Sequence, residues 1–211
     1  MKKKTFVKID DGLGNIAYGE NVGDFPKHHF TLASLEQRMD RKFPLYVSSC
    51  GNDENAAGFW RERPESKHLS LELMVTGIFR FRSRDIEYVC NPGDIFIIHE
   101  GSNTRMECIS EYSLKRTIII HGHLLQPILE ALNLGKCDHI CLSNFSKIDE
   151  IFLKIDSLVK KRDSSLQSKI SSLVYELLIE LSNQKVENQY PVKLNAILHY
   201  LETNYSKKIR M

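Results

Sequence analysis

Two arginines and a tryptophan stand side by side in the segment GFWRERP, at residues 58–64. If this segment is extended, Arg61 and Arg63 point to the same face, because successive side chains of a strand alternate. A guanidinium group offers a fork of N–H donors that suits a carboxylate or a pair of hydroxyl groups, and the flat ring of Trp60 suits stacking against a sugar. We therefore predict that all three residues contact a small polar ligand. A surface salt bridge between the arginines and neighbouring glutamates is the alternative.

Four more residues complete the predicted ligand site. They are His68, Glu72, Tyr88 and His99. His68 and Glu72 fall on one face of an extended chain, from which both side chains can reach the same pocket. Tyr88 belongs to a group of aromatic residues that suits an enclosed small-molecule site. Within that group, Phe79 and Phe81 are better explained as core residues.

Zinc-type ligands occur at two further places. His121 and His123 form an H-x-H pair, and Cys137, His139 and Cys141 alternate along one short run. Imidazole and thiolate groups are ligands that zinc prefers, but structural zinc sites usually have about two to four residues between cysteines within a knuckle and not along a strand. A strand also holds alternate side chains too far apart for tight chelation. We expect ordinary residues at a sheet edge here, with no metal and no other cofactor.

Alternating apolar and polar residues predict the strands that must hold these side chains. In residues 69–76, leucines alternate with polar residues, which predicts a strand buried on one side. Gly77 and the segments 83–85 and 91–94 are turns. The predicted strands are residues 5–9, 16–18, 45–49, 69–76, 78–82, 86–90, 95–99, 104–109, 112–121 and 137–142. Seven or more short strands after residue 45 predict an antiparallel barrel or jelly roll.

Helical periodicity takes over after the last long strand, so the predicted fold class is α+β. A short helix is expected at residues 124–132. The segment Ser146-Lys147-Ile148-Asp149 is predicted to cap a helix that ends at the basic residues 160–162. A second helix, residues 165–181, carries its apolar side chains on one stripe and completes an antiparallel hairpin. Further helices are predicted at residues 31–42 and, after a polar linker, from Pro191 onward.

Composition excludes several classes of protein. The 211 residues are 42% hydrophobic and 27% charged, which is typical of an ordinary globular chain. A net charge of +2 does not predict a nucleic-acid partner. No run approaches the ~18 apolar residues of a membrane span, and no signal peptide is present, so we expect a cytoplasmic protein. An odd set of five cysteines indicates reduced thiols, and neither a G-x-S-x-G nucleophile motif nor a P-loop occurs.

The order of these elements resembles the cupin effector-binding and dimerisation domain of AraC-type transcription regulators. The resemblance rests on a strand, Gly77, a strand pair and the turn Asn91-Pro92-Gly93-Asp94-Ile95. A helical hairpin, a linker and a last helix with Ile197, Tyr200-Leu201 and Asn204-Tyr205 follow. It covers about residues 45–205. The family's two helix-turn-helix motifs are expected to follow Met211 in a longer protein.

The resemblance implies a role. In sugar-responsive members of the family, an arginine followed by a proline presents its guanidinium to the ligand, and Arg63-Pro64 matches this pattern. The expected ligand is a small polar effector, a sugar above all. The expected assembly is a homodimer through helices 146–181, and DNA is contacted only through the further C-terminal domain. The implied domains are an N-terminal arm (1–44), a cupin barrel (45–142), a dimerisation hairpin (143–185) and a linker with the first helix of a helix-turn-helix domain (186–211).

Two alternatives remain open. The first is a stand-alone cupin enzyme, an isomerase or a metal-dependent oxygenase. The metal ligands of such cupins are an H-x-H pair, a glutamate and a later histidine; here Ser70 replaces the second histidine and His99 falls several residues too early. We therefore expect no enzymatic activity, since ligands must converge within ~2.2 Å of an ion. The second alternative is a dimerisation module whose barrel is filled by its own side chains.

Overall fold

The computed structural model describes the backbone of residues 5–10, 16–21 and 28–32, and both backbone and side chains of residues 43–184. These residues form twelve β-strands and three α-helices. The strands are β1 (Thr5–Asp10), β2 (Ile16–Asn21), β3 (His28–Leu32), β4 (Tyr46–Ala56), β5 (Trp60–Arg63), β6 (Leu69–Thr76), β7 (Phe79–Ser83), β8 (Ile86–Cys90), β9 (Asp94–Ile98), β10 (Thr104–Cys108), β11 (Tyr112–His121) and β12 (His139–Cys141). The helices are α1 (Leu125–Ala131), α2 (Phe145–Lys160) and α3 (Gln167–Asn183), with a 3-10 turn at Ser164–Leu166.

The described strands form two antiparallel sheets. The first has the order β1-β2-β5-β10-β7-β8 and the second has the order β12-β9-β6-β11-β4-β3. Most neighbouring strands in each sheet come from distant parts of the sequence, such as β5 with β10 and β6 with β11, which is typical of a jelly roll. The prediction of an α+β fold, with a jelly roll followed by helices, is confirmed.

The N-terminal strands extend both sheets. β1 pairs with β2, as predicted, and β2 pairs in turn with β5 of the first sheet. β3 pairs with β4 of the second sheet. The predicted helix at residues 31–42 is wrong at Thr31 and Leu32, because both residues take part in this ladder. The rest of that predicted helix lies outside the described residues.

β4 is longer than predicted. The expected turn after residue 49 is replaced by a strand that continues to Ala56. The polar residues there are compatible with a strand because β4 pairs on both sides, with β3 and β11. Their side chains also find partners: Oδ1 of Asn52 accepts a hydrogen bond from Arg116, and Asp53 forms an ion pair with Lys115. Long-range pairing therefore overrides the local turn chemistry.

Aromatic and sulfur-containing side chains fill part of the space between the two sheets. The rings of Phe81 and Phe96 stack with their centroids 4.7 Å apart. Phe79 and Phe81 are fully buried in this cluster, which confirms that they are core residues. The cluster contains Phe59, Met74, Phe79, Phe81, Cys90, Phe96, Ile98, Met106 and Cys108.

A second apolar layer lies between the second sheet and the helices. Leu69, Leu71 and Leu73 of β6 belong to it, together with residues of α2 and α3 such as Phe152 and Val174. The prediction that β6 is buried on one side only is therefore wrong, because residues 69–74 are all buried. The helices cover the apolar face of the strand, and its polar face lies between the sheets.

Helices α2 and α3 carry the predicted apolar stripes. The buried residues are Ile148, Ile151, Phe152, Ile155 and Val159 in α2, and Gln167, Ile170, Ser171, Val174, Leu177, Leu178 and Leu181 in α3. The predicted cap at Ser146 is wrong: Oδ1 of Asn144 accepts the backbone N–H of Lys147, and Ser146 lies within the first turn. The linker and the helix predicted from Pro191 lie outside the described residues. The last described helix, α3, ends at Asn183.

Two expectations about the whole chain concern cysteines and membrane spans. All five cysteines lie in the described residues, and no disulfide bond joins any of them, as predicted. In the described part of the chain, no helix has both the length and the apolar character to cross a bilayer.

Gly77 allows β6 and β7 to connect through a close approach to β11. Its φ is 77°, and a Cβ atom there would overlap the Tyr112 carbonyl oxygen and the Ser113 side chain. Gly58 has a φ of 85° but nothing within 4 Å. We expect Gly77→Ala to lower the free energy of unfolding by ~1–3 kcal/mol more than Gly58→Ala, because only Gly77 adds overpacking to backbone strain. Urea denaturation of both variants measures this difference, and equal losses would contradict it.

Candidate functional site

Four charged side chains are buried together between the sheets. Nζ of Lys115 lies 2.5 Å from Oδ2 of Asp53 and 2.5 Å from Oε2 of Glu72. Nη2 of Arg63 lies 3.4 Å from Oε1 of Glu72. None of these residues exposes more than 2% of its surface. We refer to Asp53, Arg63, Glu72 and Lys115 as the buried charge cluster.

Strand pairing positions the cluster. Lys115 lies opposite Asp53 in the ladder of β11 and β4, and Thr117 lies opposite Glu72 in the ladder of β11 and β6. Cβ atoms of such opposed residues are about 4.5–5.5 Å apart, so long side chains meet readily. The alternate residues of the same strands, such as Ile118, pack beneath the helices. Covering the apolar face with helices therefore turns the charged face inward.

Glu72 is the acceptor at the centre of this network. The Ser70 hydroxyl donates to Oε1 at 2.7 Å, and the Thr117 hydroxyl and Lys115 donate to Oε2. Burial raises the pKa of Glu72, but the Lys115 ammonium and the Arg63 guanidinium lower it further, so the pKa lies below its ordinary value. Glu72 is therefore a fixed anion at neutral pH.

Burying these four charged side chains costs free energy that an apolar core of the same volume would not lose. Removing an ion from water costs on the order of several kcal/mol, and a buried ion pair often stabilises a fold no better than apolar residues of the same volume. Titratable groups with shifted pKa values in an enclosed space are typical of functional sites. The buried charge cluster is therefore our candidate site.

An open cavity of about 640 Å³ reaches the cluster at Arg63. Arg63, Thr104 and Ser83 lie side by side across β5, β10 and β7. Oγ1 of Thr104 and Oγ of Ser83 are buried and have no hydrogen-bond partner within the described part of the chain. This row offers a guanidinium and two hydroxyl groups. The cavity is lined by Glu62, Arg63, Pro64, Arg82, Arg84, Asp85, Gly101, Ser102, Asn103, Thr104 and Arg105.

Three more arginines stand at the rim of this cavity. Arg82, Arg84 and Arg105 each form an ion pair with a carboxylate, at N–O distances of 3.0, 2.6 and 2.9 Å. The three arginine side chains are 58%, 41% and 44% exposed. Exposed ion pairs contribute little because water screens them. A negatively charged ligand can therefore compete for Arg82 and Arg105, whose carboxylate partners are exposed, whereas Arg84 pairs with the buried carboxylate of Asp138.

The structure brings Arg63 and Glu72, two of the predicted site residues, into direct contact. His68 is buried just before β6, and its ring centroid lies 5.9 Å from that of His121. Arg61 lies on the same face of β5 as Arg63, but its guanidinium sits 5.7 Å from the centre of the Phe59 ring. His68 and Arg61 thus border the space between the sheets.

Three predicted site residues lie apart from the buried charge cluster. Trp60 lies on the other face of β5, where its ring stacks against Arg105 at 4.5 Å. Tyr88 packs against His139, with ring centroids 5.3 Å apart. Nε2 of His99 lies 2.9 Å from the carbonyl oxygen of Cys137, and burial lowers the pKa of this histidine. Tyr88 and His99 therefore contact the region of β12.

Sequence reasoning missed Asp53 and Lys115. Asp53 follows the predicted strand 45–49, in a segment that was expected to be a turn. Lys115 lies in the predicted strand 112–121, which was identified from its β-branched residues. A signal did exist: Ser113, Lys115 and Thr117 alternate with Leu114 and Ile118. In a strand with helices on its apolar side, such polar residues must point into the barrel.

The lowered pKa of Glu72 predicts a pH-dependent stability. A carboxylate with a depressed pKa stabilises the fold above its unfolded value of about 4.5, and this contribution is lost as the pH falls through the folded pKa. We expect Glu72→Gln to lose about 3–5 kcal/mol at neutral pH, because Lys115 and Arg63 lose a buried partner. The loss should shrink below pH 4.5. Urea denaturation of wild type and variant across this range measures it, and parallel pH curves would contradict the assignment.

Comparison with known proteins establishes the fold of this chain. No family model and no curated protein matches the sequence. Among solved structures, the AraC-like transcriptional activator CuxR aligns with 96% of this chain and 71% of its own, at a TM-score of 0.50 and 11% sequence identity. This likeness concerns the fold alone.

Solved cupins align over shorter stretches. A predicted oxalate decarboxylase from Thermotoga maritima aligns with 56% of this chain and 93% of its own, with a TM-score of 0.37 and 11% identity. A cupin superfamily protein from Desulfitobacterium hafniense DCB-2 aligns with 35% of this chain and 66% of its own, with a TM-score of 0.32 and 15% identity. The described chain thus shares the fold of that activator, a jelly roll followed by helices.

Proposed function

We propose that this chain is the effector-binding and dimerisation part of an AraC-like transcription regulator, and that a small polar metabolite binds at Arg63. One observation carries the proposal. Arg63 belongs to the buried charge cluster and also lines the open cavity, so a ligand in the cavity reaches a charged network inside the barrel.

The chemistry of the cavity defines the class of ligand. Four arginines line the cavity and favour a carboxylate or a phosphate, because guanidinium groups bind both through paired hydrogen bonds. The hydroxyl of Thr104, which also lines the cavity, is suited to a hydroxyl group of a sugar. A sugar acid or a sugar phosphate satisfies both requirements. We therefore propose an anionic sugar as the ligand, within the broader class of sugars that the sequence predicted.

Strand β11 offers a route by which ligand binding changes the structure outside the barrel. A ligand that attracts Arg63 draws it away from Glu72, a contact that is already long at 3.4 Å. Glu72 in turn holds Lys115. The next residue, Arg116, points the other way and pairs with Asp149 of α2. Movement of β11 would thus reach the helices, and a ligand shifts such an equilibrium by its difference in affinity for the two arrangements.

The proposed role is binding and not catalysis. The groups around Glu72 keep it ionised and engaged with four donors, so it is a poor proton acceptor at neutral pH. A general base works best with a pKa near the working pH. Contact with DNA is assigned to a further C-terminal domain, as the resemblance implies.

Binding can be tested with glucose 6-phosphate and gluconate as anionic probes and glucose as the uncharged comparison. By calorimetry, we expect the anions to bind and Arg105→Gln to weaken them roughly tenfold, which corresponds to about 1.4 kcal/mol. Arg63→Gln should weaken them at least as much, because a hydrogen bond to a charged group contributes about 1.5–3 kcal/mol.

Arg80→Gln is the matched control. Arg80 is a partly exposed arginine that pairs with Glu87 and Glu107 and does not line the cavity. It should bind the probes like wild type. Equal weakening by Arg80→Gln and Arg105→Gln would indicate nonspecific charge attraction, and no binding of either anion would overturn the anionic class of ligand.

The proposed dimer is tested separately. Leu153 of α2 and Tyr175 of α3 are large apolar residues that are 44% and 47% exposed. If the helix pair is the interface, light scattering should give twice the 24.4 kDa mass of the chain. Leu153→Glu with Tyr175→Glu should shift the protein to the monomer, because charges would be buried without partners. Ile86→Glu, at an exposed residue of β8, is the control; a dimer that survives the helix variant would rule out this interface.

A further inference from the structure

A second group of ligand-type side chains lies at the end of the second sheet. Asp94 begins β9, and His139 and Cys141 are the end residues of β12. Cys141 lies opposite Asp94 in the ladder that joins the two strands. An oxygen, a nitrogen and a sulfur atom from these three residues all lie within 4.8 Å of one another. We refer to them as the β9–β12 triad.

The geometry is close to that of a bound metal ion. Zinc binds nitrogen, oxygen and sulfur ligands at about 2.0–2.3 Å, so ligand atoms around a tetrahedral ion are roughly 3.3–3.8 Å apart. Nε2 of His139 already lies 3.2 Å from Oδ2 of Asp94. A set of imidazole, thiolate and carboxylate ligands suits zinc, whereas magnesium and calcium prefer oxygen alone.

Surrounding groups hold the triad in position. The backbone N–H of Asn91 donates to Oδ2 of Asp94 at 2.8 Å. The Tyr88 ring packs against the His139 imidazole, with the ring centroids 5.3 Å apart. Such outer contacts orient metal ligands and are a regular part of metal sites.

In the sequence, Cys137, His139 and Cys141 alternate along one run, where we expected no metal. In the folded chain, Asp94 from the neighbouring strand β9 joins His139 and Cys141, and Cys137 lies outside the group.

We propose that Asp94, His139 and Cys141 bind a zinc ion. The ion would tie β12 to β9. Helix α2 begins at Phe145, shortly after Cys141, so the ion would also fix the connection between the barrel and the helices. This structural site is separate from the buried charge cluster, and its test does not depend on effector binding.

Cobalt is the spectroscopic probe for this site. The full chain is treated with a chelator and titrated with Co²⁺. We expect one ion per chain, the strong visible bands of a tetrahedral ion and a thiolate-to-cobalt charge-transfer band, all lost when Zn²⁺ is added. Cys141→Ser should remove the charge-transfer band, because Cys141 is the one cysteine of the triad, and should lower the affinity by at least roughly tenfold.

Cys137→Ser is the matched control, because Cys137 stands four residues before Cys141 on the same segment but outside the triad. It should keep both the band and the affinity. Asp94→Asn should lower the affinity and keep the band, since the Cys141 thiolate remains; circular dichroism verifies that each variant is folded. A band that is absent in wild type, or that survives Cys141→Ser, would overturn the site, and an unchanged affinity in Asp94→Asn would remove the carboxylate from it.

Discussion

The arrangement of the barrel depends on how the charge of Lys115 is neutralised without water. The side chain has no exposed surface, and its two carboxylate partners come from β4 and β6, on either side of β11. A register shift of one residue in either ladder would turn a carboxylate to the outer face and leave the ammonium buried alone, at a cost of several kcal/mol. The ion pairs therefore fix the register of three neighbouring strands.

The interior of the barrel is divided into two halves of different character. Stacked aromatic rings and sulfur-containing side chains fill one half. The other half holds the charged and hydroxyl side chains, and the cavity opens there. This division argues against a barrel filled only by its own side chains, since a filled barrel would have no reason to bury four charges. It also separates the tightly packed side chains, which stabilise the fold, from the polar side chains, which are suited to contact a ligand.

The two candidate sites share one row of the second sheet. Pairing places Thr117, Glu72, Phe96 and His139 side by side across β11, β6, β9 and β12. The buried charge cluster lies on one side of Phe96 and the β9–β12 triad on the other. Each site also has a direct connection to helix α2. Arg116, next to Lys115 on β11, pairs with Asp149 of α2, and Cys141 lies shortly before the start of α2. An event at either site thus has a short physical route to the helical layer.

The sequence by itself determined the order of the elements from β6 onward and the identity of much of the core. Alternation marked β6 because a strand with an apolar face beneath helices has a period of two, and the helical stripes of α2 and α3 followed from the same principle. It also singled out Arg63 and Glu72. Only the tertiary structure decided that the polar face of β6 lies inside the barrel, and that Asp53 and Lys115 meet there. These contacts join residues more than 40 positions apart, and no local pattern encodes which strands become neighbours.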